Sequence, residues 1–243
     1  MPANIKLIIQ KLAEKLGYRI VARDRDPQTF LRYVETLPIT TIVDVGANRG
    51  ATCLNWLRAF PSARVHAVEA LDQFRPNLER IASMFPGRMT IWQVAATDRR
   101  GEITFFVHED HPSSSSILPS TDKSHALMPF TRKKSKITVQ GARLDEMLDE
   151  ATFDPAEQIF LKLDVQGAEL NVLRGAEGLL GRVICVLCEI NLTSLYEKQA
   201  DFVDIVEYLR QFGLEFSGVV EQFHARDGHP IYLDAVFLRP ERH

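Results

Sequence analysis

The stretch Thr41-Ile-Val-Asp-Val-Gly-Ala-Asn-Arg-Gly50 joins a mostly apolar run to a turn that holds two glycines. The residues from Thr41 to Val45 predict a buried strand, and those from Ala51 to Phe60 predict a helix that Pro61 ends. A strand, a tight turn and a helix in this order form the first half of a βα unit. The stretch therefore predicts an α/β fold.

Strand and helix patterns alternate on both sides of this unit. Repeated βα units predict a largely parallel sheet with helices on both faces. We expect one domain over residues 39–243, preceded by an N-terminal helical extension over residues 1–38. The further strands are predicted at 64–69, 89–94, 102–107, 137–140, 159–164, 183–190, 216–220 and 231–238, and the further helices at 4–16, 27–37, 72–85, 144–148, 168–180 and 202–212.

Composition narrows the class of protein. The 243 residues include 29 Lys and Arg against 32 Asp and Glu, so no nucleic-acid partner is expected. No apolar run reaches the roughly 18 residues of a membrane span, and no secretory signal is recognisable at the N-terminus. We therefore expect a cytoplasmic location, while the oligomeric state is left open.

Two of the three cysteines, Cys185 and Cys188, have the C-x-x-C spacing of a redox or metal pair. They lie inside an apolar run that predicts a strand, where residues three apart point to opposite faces. We therefore expect both to be buried packing residues in a reducing compartment.

Acidic residues end two of the predicted strands beside the glycine turn. Asp44 closes the first strand, and Glu69 closes the second. In nucleotide-binding α/β domains, an acid at the second position accepts hydrogen bonds from ribose hydroxyls. The glycines let the backbone approach a ligand closely. Together these features predict an adenosine-containing ligand, unless the two acids only cap helices.

The turn favours one ligand over another. The dinucleotide motif G-x-G-x-x-G is absent, because Asn48 stands where the middle glycine would be. Asp44, close before Gly46, would repel a pyrophosphate but suits a ligand with an amino group. The turn therefore favours S-adenosylmethionine. A nicotinamide-dependent oxidoreductase and a non-catalytic cofactor-binding module are the alternatives.

Four side chains are candidates for a catalytic base. Asp164 follows the apolar run 159–163, and Glu189 ends the next strand, so both reach the ligand-binding edge of the sheet. Glu169 is a third candidate, although an acid at the start of a helix also has a purely electrostatic role. His108 is the fourth, with an ordinary core or surface histidine as its alternative.

Residues 108–135 are rich in serine and proline and predict a loop on the substrate side, or a linker. The basic run Arg132-Lys133-Lys134 inside it is either a solvated surface or a contact for an anion. No metal is expected, because methyl transfer depends mainly on alignment. If a metal did bind, Asp164, Glu189 and Asn191 would supply its oxygen ligands.

Residues 36–240 resemble the FkbM-type methyltransferases. The longest shared stretch is Leu161-Lys-Leu-Asp-Val-Gln-Gly-Ala-Glu-Leu170, in which Gln166 replaces a frequent glutamate. The other shared segments are Val43–Asn48, Val68-Glu69, Ala95–Asp98, Ser115–Ile117, Leu144-Asp145 and Val172–Ala176.

This resemblance implies a Rossmann-like methyltransferase fold, with seven strands of which the last is antiparallel. It also implies methyl transfer from S-adenosylmethionine to a hydroxyl, commonly of a sugar, glycan or polyketide. By the same resemblance, Asp44, Gly46, Ala47, Asn48 and Gly50 surround the methionine part of the cofactor, Glu69 and Ala70 the ribose, Ala95, Ala96 and Asp98 the adenine, and Asp164 and Val165 the reacting methyl group.

Overall fold

A computed structural model describes residues 29–148 and 157–240, together with Ala13 and Lys15. The strands are β1 (Thr41–Val45), β2 (Arg64–Val68), β3 (Met89–Trp92), β4 (Ala95–Ala96), β5 (Gly101–His108), β6 (Lys134–Ala142), β7 (Ile159–Leu163), β8 (Val183–Asn191), β9 (Glu215–His224) and β10 (Pro230–Leu238). The helices are α1 (Thr29–Val34), α2 (Ala51–Ala59), α3 (Arg75–Met84), α4 (Asp122–Leu127), α5 (Leu144–Met147), α6 (Glu169–Arg174), α7 (Glu177–Leu180) and α8 (Phe202–Gln211).

Seven strands form the main sheet in the order β3-β2-β1-β7-β8-β10-β9. The first five of these pair in parallel, whereas β10 is antiparallel to both β8 and β9. The prediction of a mostly parallel, seven-stranded sheet with an antiparallel last strand is therefore confirmed.

Helices cover both faces of this sheet, because its central strands are apolar on both sides. On β1, Ile42 belongs to the same buried core as Trp56 of α2, whereas Val43 belongs to the core on the opposite face, which includes Leu209 of α8. Phe160 of β7 is fully buried, with its ring 5.0 Å from that of Trp56. Truncation of such a side chain to alanine costs about 3–5 kcal/mol.

Cys185 and Cys188 are free and buried, and they belong to the cores on opposite faces of the sheet. Both were predicted to be packing residues, and their positions agree with that role. Burial also raises the pKa of each thiol, so the reactive thiolate is disfavoured.

A second sheet, in the order β4-β6-β5, was not predicted. It stands beside the carboxyl ends of the main parallel strands. The segment between its long strands was predicted to be a loop, but it contains α4 and two 3₁₀ turns, Pro112–Ser114 and Pro129–Thr131. We call residues 112–131 the covering segment. The single helix predicted over 168–180 is likewise two short helices, α6 and α7.

The predicted N-terminal helix over residues 4–16 lies outside the described residues, apart from Ala13 and Lys15. The next predicted helix, over 27–37, corresponds to α1, from which Val34 is buried against the α2 side of the sheet. None of the described helices combines the length and the apolar character that crossing a membrane requires.

Candidate active site

A pocket opens at the carboxyl ends of β1, β2 and β7. It encloses about 580 Å³, part of it open to solvent. The loops after these strands form its floor, and the second sheet and the covering segment form its roof. The floor residues include Gly46, Asn48, Glu69, Asp164, Val165 and Gln166, and the roof residues include Phe105, Pro112, Ser113, Ser115 and Ile117.

Gly46 lets two loops of the floor touch. Its φ is +79°, and a Cβ atom placed on it would lie 1.9 Å from the carbonyl oxygen of Asp164. The amides of Gly46 and Ala47 donate hydrogen bonds to the carbonyl of Val68, at 3.0 and 3.1 Å. The loop after β1 is thereby fixed to the loops after both neighbouring strands.

Glu69 presents a fixed carboxylate to the pocket. Oε2 accepts a hydrogen bond from the amide of Asn48, and Oε1 accepts one from the amide of Leu71, both at 2.8 Å. Burial raises the pKa of Glu69, while these backbone donors act in the opposite direction. Each carboxylate oxygen can accept a second hydrogen bond, so Glu69 can still receive a ribose hydroxyl.

Asp44 is wholly buried and does not line the pocket. Oδ1 lies 3.2 Å from Nζ of Lys162, and Oδ2 accepts a hydrogen bond from Sγ of Cys53 at 3.2 Å. Asp44 therefore faces β7 and not the ligand space. Its direct contact with the amino group of a ligand stays a prediction.

Lys162 is a residue of the site that was not predicted from the sequence. Its side chain is 9% exposed, and Nζ lies 3.3 Å from both Oδ2 of Asp164 and the carbonyl oxygen of Gly46. The sequence did contain a signal, since a lysine inside an apolar strand needs charged or polar partners.

A side-chain network connects Asp164 to Glu189. Nε2 of Gln166 donates to Oδ1 of Asp164 at 2.9 Å and to Oε1 of Glu189 at 2.8 Å. The hydroxyl of Tyr196 donates to Oε1 of Gln166 at 2.9 Å. Burial, with Asp164 adding to it, raises the pKa of Glu189 well above its ordinary value. A glutamine at 166 thus bridges two acids where a glutamate would add a third.

Glu169 does not line the pocket but holds the turn beside it. Oε1 accepts hydrogen bonds from the amides of Val165 and Gly167, both at 3.1 Å. Burial raises the pKa of Glu169 to about 7. These contacts favour the structural alternative for Glu169 over a role as the base.

His108 is buried outside the pocket lining and supports the covering segment. Nδ1 lies 2.8 Å from the carbonyl oxygen of Ser114, which can only accept, so Nδ1 carries the proton. Nε2 then accepts from the hydroxyl of Ser120 at 3.0 Å. Burial lowers the pKa of His108 and keeps the ring neutral. The proposal of His108 as a base finds no support in these contacts.

The expected adenine side of the pocket is lined by small apolar residues. Ala70, Ala95 and Ala96 all contribute to it. Asp98 does not, because its carboxylate accepts hydrogen bonds from Thr97 and Asn171 instead, at 3.1 and 3.3 Å. A contact between Asp98 and the adenine stays a prediction.

Three acids lie side by side across the strands next to Asp164. Glu189 of β8 is in register with Asp234 of β10, which is in register with Glu221 of β9. Burial raises the pKa of Asp234 to about 6.

Two residues beyond Glu189, Nδ2 of Asn191 is buried without a hydrogen-bond partner among the described residues. Within the same part of the chain, no group of three His, Cys, Asp or Glu side chains is placed to hold a metal ion.

Comparisons with known proteins match the sequence of this chain to one family. Residues 44–216 match the model of the methyltransferase FkbM domain. The 2-O-methyltransferase NoeI of Sinorhizobium fredii is 30% identical over 191 residues, which are 73% of this chain and 74% of NoeI. Methyltransferase 1 of Beauveria bassiana is 26% identical over 164 residues, 61% of this chain and 64% of that protein.

Among solved structures, the 1,6-didemethyltoxoflavin-N1-methyltransferase of Burkholderia thailandensis, with bound S-adenosylhomocysteine, is similar with a TM-score of 0.47. It is 13% identical, and the match covers 90% of this chain and 79% of that one.

Proposed function

This chain belongs to the FkbM family of S-adenosylmethionine-dependent methyltransferases, and from that premise we propose that it methylates a hydroxyl of a sugar or glycan. The observation that carries the proposal is the pair formed by Asp164, which lines the pocket, and Glu189, which Gln166 links to it from behind the pocket lining. The similarity to a protein named a 2-O-methyltransferase supports oxygen as the acceptor atom. The nicotinamide-dependent and non-catalytic alternatives do not agree with this family.

The pocket residues fit the methyl donor. Glu69 keeps free acceptor positions for ribose hydroxyls, and Ala95 and Ala96 leave room for a flat ring. Oδ1 of Asn48 is buried without a hydrogen-bond partner among the described residues, and Asn48 lines the pocket. We propose that this oxygen accepts a hydrogen bond from the amino group of S-adenosylmethionine. When bound, the donor supplies a methyl group on a positively charged sulfur.

Asp164 is the best-placed base for the acceptor hydroxyl. It lines the pocket, its side chain is 38% exposed, and Lys162 and Gln166 each hold one of its oxygens. Burial raises the pKa of Glu189 well above its ordinary value and favours the protonated form, which cannot accept the proton of the hydroxyl. We therefore assign proton acceptance to Asp164 and acceptor positioning to Glu189.

The acids beside Asp164 indicate the kind of acceptor. Glu189, Asp234 and Glu221 offer hydrogen-bond acceptors that match the hydroxyls of a sugar. As acids on the neighbouring strands, Asp234 and Glu221 disfavour a phosphorylated or carboxylated group, and for that reason we also propose that nucleic acid is not an acceptor. The covering segment, which contributes Ser113 and Ser115 to the pocket, would close over the acceptor.

Two assignments from the sequence stay part of the proposal. Residues 39–243 form the methyltransferase domain, with residues 1–38 as its extension. The protein acts in the cytoplasm, which agrees with its three unlinked cysteines.

An acceptor screen with isotope-labelled methyl donor tests the function. The panel contains neutral oligosaccharides, phosphorylated sugars, a polyketide alcohol and an RNA. We expect label in an alkali-stable ether of a neutral saccharide. Label transferred only to nitrogen, or only to RNA, would refute the proposal.

The variant Asp164→Asn tests the assignment of the base. We expect turnover to fall by about 10²–10⁴-fold, the usual contribution of a general base, with the Kd for S-adenosylhomocysteine little changed. Glu197→Gln, at an exposed glutamate outside the site, is the matched control. Full turnover by Asp164→Asn would show that another group takes the proton.

A further inference from the structure

Lys162 connects a buried acid to a pocket acid. Its ammonium group lies 3.2 Å from Oδ1 of Asp44 and 3.3 Å from Oδ2 of Asp164. It also donates to the carbonyl oxygen of Gly46 at 3.3 Å. One cation therefore contacts two of the three loops that form the floor of the pocket, those after β1 and β7.

The local charges keep Lys162 protonated. Burial lowers its pKa, but the carboxylates of Asp44 and Asp164 outweigh this effect, and the net shift is upward. Asp44 has no exposure to solvent, and its second oxygen is occupied by the thiol of Cys53. The ammonium group of Lys162 thus keeps its charge inside the sheet, beside the buried carboxyl group of Asp44.

Core packing alone does not require this pair. A buried ion pair costs desolvation, and well-packed apolar side chains can replace one without loss of stability. Lys162 differs from an ordinary core residue because it also contacts Asp164, which lines the pocket and is partly exposed. An apolar side chain at 162 would leave that carboxylate oxygen without its cation.

We propose that Lys162 is a positioning residue, which aims the carboxylate of Asp164 at the acceptor and seats the Gly46 loop, while Asp44 holds Lys162 in place. Asp164 is fixed from two sides, by Lys162 on one oxygen and by Gln166 on the other. A carboxylate held in this way cannot rotate away from the acceptor hydroxyl. This inference rests on the role proposed above for Asp164.

A pair of variants separates positioning from stability. Lys162→Met alone leaves Asp44 buried without a cation, so we expect strong destabilisation in urea. Adding Asp44→Asn removes that buried charge, and the double variant should regain most of the unfolding midpoint. Folding and catalysis can then be compared in the same protein.

In the stable double variant we expect kcat to stay at least 30-fold below wild type, with a smaller change in KM. Calorimetry with S-adenosylhomocysteine should show binding about fivefold weaker, because the Gly46 carbonyl has lost its donor. Asp44→Asn alone, which retains Lys162, should be closer to wild type in kcat than the double variant.

Recovery of kcat and of binding together with stability would show that Lys162 is only structural. If the double variant remains unstable, Lys162→Gln with Asp44→Asn gives the same comparison with a polar side chain. Asp164→Asn separates the two proposals. If Asp164→Asn is active, the role of Asp164 is wrong and this inference falls with it. If Asp164→Asn is inactive but the double variant is active, only this inference is overturned.

Discussion

At Gly46 the space for a side chain is already filled by the carbonyl group of Asp164. We predict that Gly46→Ala lowers the free energy of unfolding by about 3 kcal/mol, because a positive φ and an overpacked contact add their costs. Binding of S-adenosylhomocysteine should weaken by at least 10-fold. Urea titration and calorimetry measure the two effects.

Gly87→Ala is the matched control for this change. Gly87 also has a positive φ, +74°, but no atom lies within 4 Å of the position of its Cβ. Gly87→Ala should lower the free energy of unfolding by about 1–2 kcal/mol through the backbone conformation alone, without an effect on the binding of S-adenosylhomocysteine. Equal effects of the two substitutions would contradict the proposed contact between the loops.

Glu169 gives a prediction about pH. Its pKa of about 7 in the folded protein lies above the ordinary value of 4.5, so the folded state favours the protonated form. Its stabilising contribution is complete below pH 4.5 and is lost as the pH rises through 7. Between pH 4.5 and pH 7, the free energy of unfolding of the wild type should fall by about 3 kcal/mol relative to that of Glu169→Gln, at about 1.4 kcal/mol per pH unit.

Urea titrations of both proteins at pH 5, 6, 7 and 8 measure this difference. A difference that does not change with pH would show that Glu169 is ionised throughout. A difference of the opposite sign would show that the hydrogen bonds from Val165 and Gly167 outweigh burial.

Among single residues, those at the strand ends were predicted well from the sequence, but their hydrogen-bond and ion-pair partners were not. Glu69 and Asp164 were expected at the strand ends, and both line the pocket. Asp98 and His108 were also expected there, but neighbouring side chains and carbonyls occupy them. Lys162 was missed because two of its three partners, Asp44 and Gly46, lie more than 100 residues away in the chain, and only Asp164 is a near neighbour in sequence. Such partners follow from tertiary packing and not from local pattern.

Tyr196 makes one of the contacts between the covering segment and the loop that follows β7. The hydroxyl of Tyr196 lies 2.7 Å from the carbonyl oxygen of Ser114 and 2.9 Å from Oε1 of Gln166, and its single proton is shared between these two acceptors. We predict that Tyr196→Phe raises the Kd for S-adenosylhomocysteine about fivefold, since a lost hydrogen bond is worth about 1 kcal/mol. It should also speed tryptic cleavage after Lys123 or Arg132.

Tyr208→Phe is the control, because the hydroxyl of Tyr208 bonds Glu177 at a distance from the pocket. It should change neither the binding nor the cleavage pattern. If Tyr196→Phe behaves in the same way, the covering segment is held by its other contacts, such as those of His108.

Elements with a regular pattern were predicted to within a few residues, and β1 has the bounds that its apolar run indicated. The second sheet was missed because β5 and β6 pair across a long insertion, which local sequence does not encode. The covering segment was assigned to a loop because serine and proline obscure the short α4. The break between α6 and α7 likewise depends on packing, not on helix propensity.

The whole molecule should respond to the cofactor as one unit. The pocket takes residues from the main sheet, the second sheet and the covering segment. With S-adenosylhomocysteine at 100 times its Kd, we predict about 2.7 kcal/mol of added stability in a single unfolding transition. Circular dichroism and calorimetry should give the same midpoint. Two transitions, of which the ligand shifts only one, would show that the sheets unfold separately.

The contact between Gly46 and Asp164 also bears on how this enzyme can be re-engineered. The loop that we propose holds the methyl donor and the loop that carries the proposed base share one van der Waals surface, so a substitution in one alters the shape required of the other. Residues 44–50 and 162–167 are best kept, or transplanted, as a single cassette. Libraries intended to change the acceptor should instead vary Glu189, Glu221 and Asp234, whose strands lie beside that cassette.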